Sequence, residues 1–351
     1  FMIKKIIIIT FLCLLPIITF AQEEEKVIFE AKVIDATDTY LRIENNQGER
    51  FIIDKDIEVG ALSKAAKGNN ILVEDMTLAD GTQRYMIVDF VRRAWVIALI
   101  ALFVLIVWLT NGKKGMKSLI NLVVTLVIAL WIIIPLILKG WPPVWVTLLG
   151  GTIAMTWNMY FSYGRTSKAR QALLGIIITL ALTGILASIF VYLTSLTGFV
   201  DDETTFLVAL GYTNINMQGL LLAAIIIGSL GVIDDLVINQ VSVVEELRDA
   251  SPNMKKKELF MRAIRIGQDH TGAMINTLIL AYIGAAFPLT ILIYLREGPF
   301  GTLMSTLNNE VIATEIVRTL IGSIGLLLAM PISTWIATIS QTKQDNILDK
   351  S

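Results

Sequence analysis

Hydrophobic and polar positions follow three different patterns along the chain. Lys4 and Lys5 precede an apolar run from Ile6 to Phe20, which ends in Thr19-Phe20-Ala21. A short basic region, an apolar run of this length and a small final residue are the marks of a secretory signal segment. Residues 1–21 are therefore expected to be a signal peptide. From residue 22 to residue 90 the pattern has a period of two. Val27, Phe29, Ala31 and Val33 alternate with polar residues, and further short runs include Tyr40–Ile43, Phe51–Ile53, Ile71–Glu74 and Tyr85–Val88. Asn46-Gln47-Gly48, Asn69-Asn70 and Asp80-Gly81 separate some of these runs as turn signals. Five short strands in this space predict a small β-barrel or an OB-like meander.

Beyond residue 90 the alternation gives way to long apolar segments, roughly 94–110, 118–138, 143–163, 171–197, 218–240, 271–295 and 311–339. About 20 apolar residues cross the hydrocarbon core of a bilayer as a helix. The expected architecture is thus a mainly α-helical polytopic membrane protein of about seven transmembrane helices. The expected domains are a β domain at 22–90, a helical membrane domain at 91–340 and a tail at 341–351. Pro135, Pro288 and Pro331 lie inside the apolar segments and predict bends.

Composition agrees with this reading. The chain is 55% hydrophobic and only 17% charged, with mean hydropathy +0.69. Its net charge of −1 gives no field that would draw nucleic acid. The single cysteine, Cys13, lies in the signal segment, and His270 is the single histidine. Disulfides, cysteine or histidine metal sites and thiol catalysis are excluded on that count. No cofactor, metal or catalytic residue is expected, and the chain is not expected to be an enzyme.

Loop charge gives an orientation. With the β head outside, the loops assigned inside carry Lys113, Lys114 and Lys117, then Arg165, Lys168 and Arg170, then six basic residues from Arg248 to Arg265, then Lys343 and Lys350. The loops assigned outside carry Lys139 and Arg296. This is the bias that membrane insertion favours. Arg92 and Arg93, just outside the first span, depart from it. Contact with lipid head groups or with the head is expected there.

Polar residues inside the apolar segments are the candidates for function, because an ionisable side chain there costs about 2.5–3.5 kcal/mol on insertion scales. On a fifth-span helix, Gly228, Gly231, Asp235, Asn239, Ser242 and Glu246 share one face, with Asp234 at its edge. At the start of the sixth span come Asp269 and His270, with Asn276 about two turns deeper. The chain runs in at the end of one span and back at the start of the next, so these residues are expected at similar depth. Asp234, Asp235, Asn239, Asp269, His270 and Asn276 form the candidate intramembrane polar site. Glu315 and Arg318, three residues apart in the last span, are a candidate ion pair.

Several of these stretches resemble the YibE/F-like family of bacterial multi-pass membrane proteins. Gly228-Ser-Leu-Gly-Val-Ile-Asp-Asp235 with Asn239-Gln240 is similar to its most distinctive helix. Asp269-His270 followed by Asn276–Gly284, and Glu315–Gly325 around Arg318, are similar to two further signatures, and Val88-Asp89-Phe90 also fits. Gln268 departs from the pattern, which would have an arginine before the Asp-His pair. The resemblance implies a multi-pass protein of the bacterial cytoplasmic membrane and assigns no residue a role.

Two functions compete at this stage. A transporter or permease, coupled to protons or cations through the intramembrane carboxylates, would move an unknown small solute or ion. A non-transporting scaffold or sensor would instead use the head to bind an envelope protein or ligand. An intramembrane aspartyl hydrolase built on Asp235 and Asp269 lacks the Gly-x-Gly-Asp context of such proteases. No phosphate-loop sequence for ATP hydrolysis is present. The lipid bilayer itself is an expected partner.

Overall fold

A computed structural model describes residues 27–54, 65–77, 83–200 and 202–348. The expected signal segment, the Asp80-Gly81 turn and Lys350 lie outside the described residues. The chain divides into two units, 1–116 and 117–351.

The first unit contains a half-barrel of five antiparallel strands: β1 (Val27–Ala36), β2 (Tyr40–Asn45), β3 (Arg50–Asp54), β4 (Asn70–Thr77) and β5 (Gln83–Phe90). Their order is β3-β2-β1-β4-β5. β1 to β3 form a meander. The chain then crosses to the other edge of β1, so the sheet as a whole is not the meander that successive short strands suggest. The expected alternation does place one face inside. Val33 opposes Ile43, Leu41 opposes Ile53, and Ala31 opposes Ile71, and all six are buried. Each fully buried aliphatic side chain contributes about 1.5–3 kcal/mol. At the β2–β3 turn the Asn45 carboxamide oxygen accepts from the backbone N–H groups of Gln47 and Glu49, both at 2.9 Å. Gly48 takes a positive φ of 85° there.

After β5 the chain enters helix α1 (Arg93–Ile128). Arg92 lies 2.6 Å from the Asp89 carboxylate, and Arg93 bonds both carboxylate oxygens of Glu30. Both arginines therefore turn to carboxylates of the head. Within α1 the helix breaks at Gly112, with φ 52° and ψ −133°, a conformation that L side chains rarely adopt. A π-helical turn (Ala129–Ile133) and α2 (Ile134–Leu138) continue the path. Pro135, which lacks the amide that an α-helix would use, sits where that irregularity resolves.

Most of the second unit consists of α3 (Pro143–Tyr163), α4 (Ser167–Leu193), α5 (Asp202–Ala209), α6 (Met217–Ala250), α7 (Lys256–Ala285), α8 (Phe287–Leu295), α9 (Leu303–Asn308) and α10 (Glu310–Leu348). Helices α4, α6 and α10 each pack along the other two. α3 lies against α4 and α6, and α7 lies against α6 and α10. Small residues permit this closeness. A Cβ on Gly325 of α10 would come 2.6 Å from the Thr183 hydroxyl of α4, and one on Gly175 would come 3.1 Å from Val237. Buried hydroxyls bond back to their own helices: Thr183 to the Thr179 carbonyl at 2.8 Å, Ser229 to Ile225 at 2.8 Å and Thr338 to Thr334 at 2.7 Å. This satisfies them without a partner helix.

Among the described residues, four helical stretches are long and apolar enough to cross a membrane: Arg93–Leu138, Ser167–Leu193, Met217–Ala250 and Glu310–Ser340. The bent pair α7 and α8, at 75° to each other, makes a fifth if it is one span. The seven expected segments are largely helical, yet they do not give seven such helices. Segments one and two share one stretch broken at Gly112. α3, 21 residues long, is not among those helices.

Candidate functional site

Helix α6 carries the centre of the site. Asn216 caps its start by accepting from the Gly219 N–H at 2.9 Å. One face then buries Ile226, Leu230, Ile233, Leu236, Val237, Gln240, Val241 and Val244. The face expected to be polar and small exists, and within this chain it is open. Gly228, Gly231, Asp235, Asn239 and Glu246 are exposed, and Ser242 is half-buried. Asp234, at the edge, is half-buried, and its Oδ1 is buried without a hydrogen-bond partner among the described residues.

Neighbouring helices bring further polar groups to this face. Tyr163, the last residue of α3, lies within electrostatic reach of Asp234 and Asp235. The Lys168 ammonium sits 5.6 Å above the Tyr163 ring and 3.3 Å from the Glu245 carboxylate. From α7, His270 Nε2 lies 3.4 Å from the Asn239 amide nitrogen, a geometry in which the amide donates to an unprotonated Nε2. His270 also lies within electrostatic reach of Asp235. Four of the six candidates thus lie together: Asp234, Asp235, Asn239 and His270.

Asp269 and Asn276 are exposed, and no hydrogen bond or ion pair joins them to that group among the described residues. The reason lies in the register of α7, which buries Leu259, Ala263, Gly267 and Thr271. At spacings of four, these turn Asp269 and Asn276 away from the packed face.

Glu315 and Arg318 form the expected ion pair at 2.7 Å, with side chains 27% and 24% exposed. Arg318 Nε is buried without a partner among the described residues. Tyr282 of α7 lies within electrostatic reach of both charges, and its hydroxyl would be 3.1 Å from a Cβ on Gly228. A cavity of about 300 Å³ opens beside the pair, where the bend between α7 and α8 separates those helices from α10.

The signature stretches of α6, α7 and α10 thus surround the two polar clusters. A family model for YibE/F-like proteins matches residues 99–343, which include the signature stretches of all three helices. The chain belongs to the YibE/F-like family. No curated protein and no solved structure matches it.

In this YibE/F-like chain, three residues of the site or its support are not evident from sequence as participants. Tyr163 reaches the carboxylates only because α3 ends beside α6. Glu310, in the first turn of α10, accepts from the Thr197 hydroxyl at 2.8 Å and the Gly198 N–H at 3.1 Å. Gln240 is buried, and its amide donates to the Ala263 carbonyl at 2.9 Å and the Thr334 hydroxyl at 2.8 Å. It therefore ties α6 to α7 and α10. Gly267 makes room for it, since a Cβ there would lie 2.5 Å from Gln240 Oε1. An amide inside an apolar helix, directly after Asn239, was the available signal for Gln240.

Proposed function

We propose that this YibE/F-like protein is a multi-pass transporter or permease of the bacterial cytoplasmic membrane, moving a small solute or ion. In this reading its movement is coupled to protons or cations through Asp234 and Asp235. The carrying observation is the Asp234 carboxylate, with an oxygen buried and, among the described residues, unpartnered beside a second carboxylate on an apolar helix. At membrane depth such a group calls for a proton or a cation to offset its desolvation. Asn239, His270 and Tyr163 add exchangeable protons and acceptors beside it. The broken path at Gly112, the bend between α7 and α8, and Pro331 in α10 are the kind of irregularities on which transporter helices move.

Seven crossings belong to this reading, with the break at Gly112 separating the first two and α3 making the third. So does the topology, with the head outside and the C-terminus in the cytoplasm, which rests on loop charge. For the head, an OB-like barrel is supported by the shared use of β1 in two ladders and by the approach of β3 to β5. A second reading, a non-transporting scaffold or sensor, draws on the openness of Asp235, Asn239, Asp269 and Asn276, which suits a covering partner helix.

The test is complementation of a deletion phenotype, with expression and melting temperature measured alongside. Asp235→Asn is expected to fold and insert normally but to abolish function, whereas Asp202→Asn on exposed α5 is expected to be silent. The amide keeps the shape and still hydrogen-bonds, so a scaffold tolerates it. Full function in a normally expressed Asp235→Asn variant removes the coupling role and favours the scaffold.

A further inference from the structure

The head contains a cavity of about 660 Å³ that the transport reading does not use. Part of its lining is aromatic. The Phe51 ring lies 5.4 Å from Phe29 and 4.7 Å from Tyr85, and Phe29 and Tyr85 are 6.1 Å apart. The rings come from β1, β3 and β5 and are mutually inclined by 49° to 79°, so they present both faces and edges. As half-buried side chains packed on the sheet interior, they also serve the head's apolar core.

That structural role leaves the polar wall unexplained. Glu30, Glu49 and Asp75 line the same cavity, and none of the lining residues is basic. Glu30 is committed to Arg93. Glu49 accepts a 2.8 Å hydrogen bond from the neutral Asn45 amide, and among the described residues it has no ion-pair partner. Asp75 Oδ1 is buried with no hydrogen-bond partner among the described residues. A carboxylate beside aromatic rings without a cation is costly. Tyr85 senses the same field: burial and the neighbouring Asp75 and Glu49 charges push its phenol above the ordinary value.

We propose that this cavity binds an organic cation, with an alkylated ammonium group against the rings and near Glu49 and Asp75. Aromatic faces attract cations within about 6 Å, and the attraction grows when the cation sheds little water. Calcium takes about six to eight oxygen ligands, and magnesium keeps a tightly held octahedral shell. Asn45, Asn46 and Gln47 add amides to the lining, but among the described residues no group of three or more acidic or histidine side chains is placed to hold a metal ion, whereas Glu49 and Asp75 beside the rings suit a weakly hydrated ammonium. The inference is independent of whether the helical unit transports anything.

Equilibrium dialysis of radiolabelled choline against the full chain in detergent micelles tests it. Saturable binding is expected. The uncharged isostere, with a tert-butyl group in place of the trimethylammonium, is expected not to compete. Phe51→Leu and Asp75→Asn should each weaken binding about five- to tenfold. Asp38→Asn, in the β1–β2 turn away from the cavity, should retain it. Melting temperatures identify any variant that fails to fold, and Asp75→Asn, which removes a charge without changing shape, then decides alone. The proposal is overturned by an absence of saturable binding to the folded wild-type chain, by equal competition from the isostere, or by folded Asp75→Asn binding as wild type does.

Discussion

The β head and the helical unit bury their interiors by different means. Among the described residues of the head, the nine buried positions are all aliphatic or alanine, and all but Ala65 lie on one face of the sheet. In the helical unit the contacts among α4, α6 and α10 mix aliphatic side chains with Gly175, Gly325 and buried hydroxyls of Thr179, Thr183, Ser333 and Thr334. Large apolar side chains such as Trp145, Leu149 and Leu193 lie on the outside of that unit. Water drives the first arrangement, because apolar area is the quantity to hide. In the lipid surrounding proposed for the helical unit there is no such drive between helices, so close backbone approach at small residues holds them together.

The largest expected effect breaks this comparison at its core. Leu41→Ala in the head should cost about 2–5 kcal/mol. Leu149→Ala on the outer face of α3 should cost less than about 0.5 kcal/mol. Hydrogen-exchange protection of β1 to β3 and the detergent melting temperature measure the two. Equal losses would mean that the two units do not differ in what stabilises them.

A smaller effect sharpens the polar side of the comparison. Arg318→Ala leaves Glu315 with no ion-pair partner in a largely apolar setting and should lower stability by about 1–3 kcal/mol, a figure reduced because both side chains are about a quarter exposed. Adding Glu315→Gln should restore most of the loss. A melting temperature unchanged in the single variant would remove the pair from the structural account.

The smallest effect belongs to the exposed pair at the end of the sheet. The hydrogen bond from Arg92 holds the Asp89 carboxyl below its ordinary value. A depressed carboxyl stabilises the fold above its unfolded value near pH 4, and that contribution is lost as pH falls through the lower folded value. Arg92→Ala should move the Asp89 titration midpoint upward in an NMR titration and leave neutral-pH stability almost unchanged. A midpoint that stays in place would show that Arg92 does not govern it.

Periodicity in the sequence determined the elements. Alternation located the strands around Val33, Leu41, Ile53 and Val73, and apolar length located the helical segments. The spacing of Gly228, Gly231, Asp235 and Asn239 put them on one face of α6. Glu315 and Arg318 were legible because a pair three residues apart meets within a single helix. These features are local, set by backbone geometry and by the residues' own polarity. Only tertiary packing decided that β1 is shared between β2 and β4, since pairing between distant strands carries no local period. Packing also turned Asp269 and Asn276 outward while bringing His270 to Asn239, because the buried register Leu259–Ala263–Gly267–Thr271 fixed the rotation of α7. Tyr163 came within electrostatic reach of the carboxylates of α6, and Gln240 joined three helices, for the same reason: complementary shape across helices, with Gly267 making room for Gln240, decides which residues become neighbours.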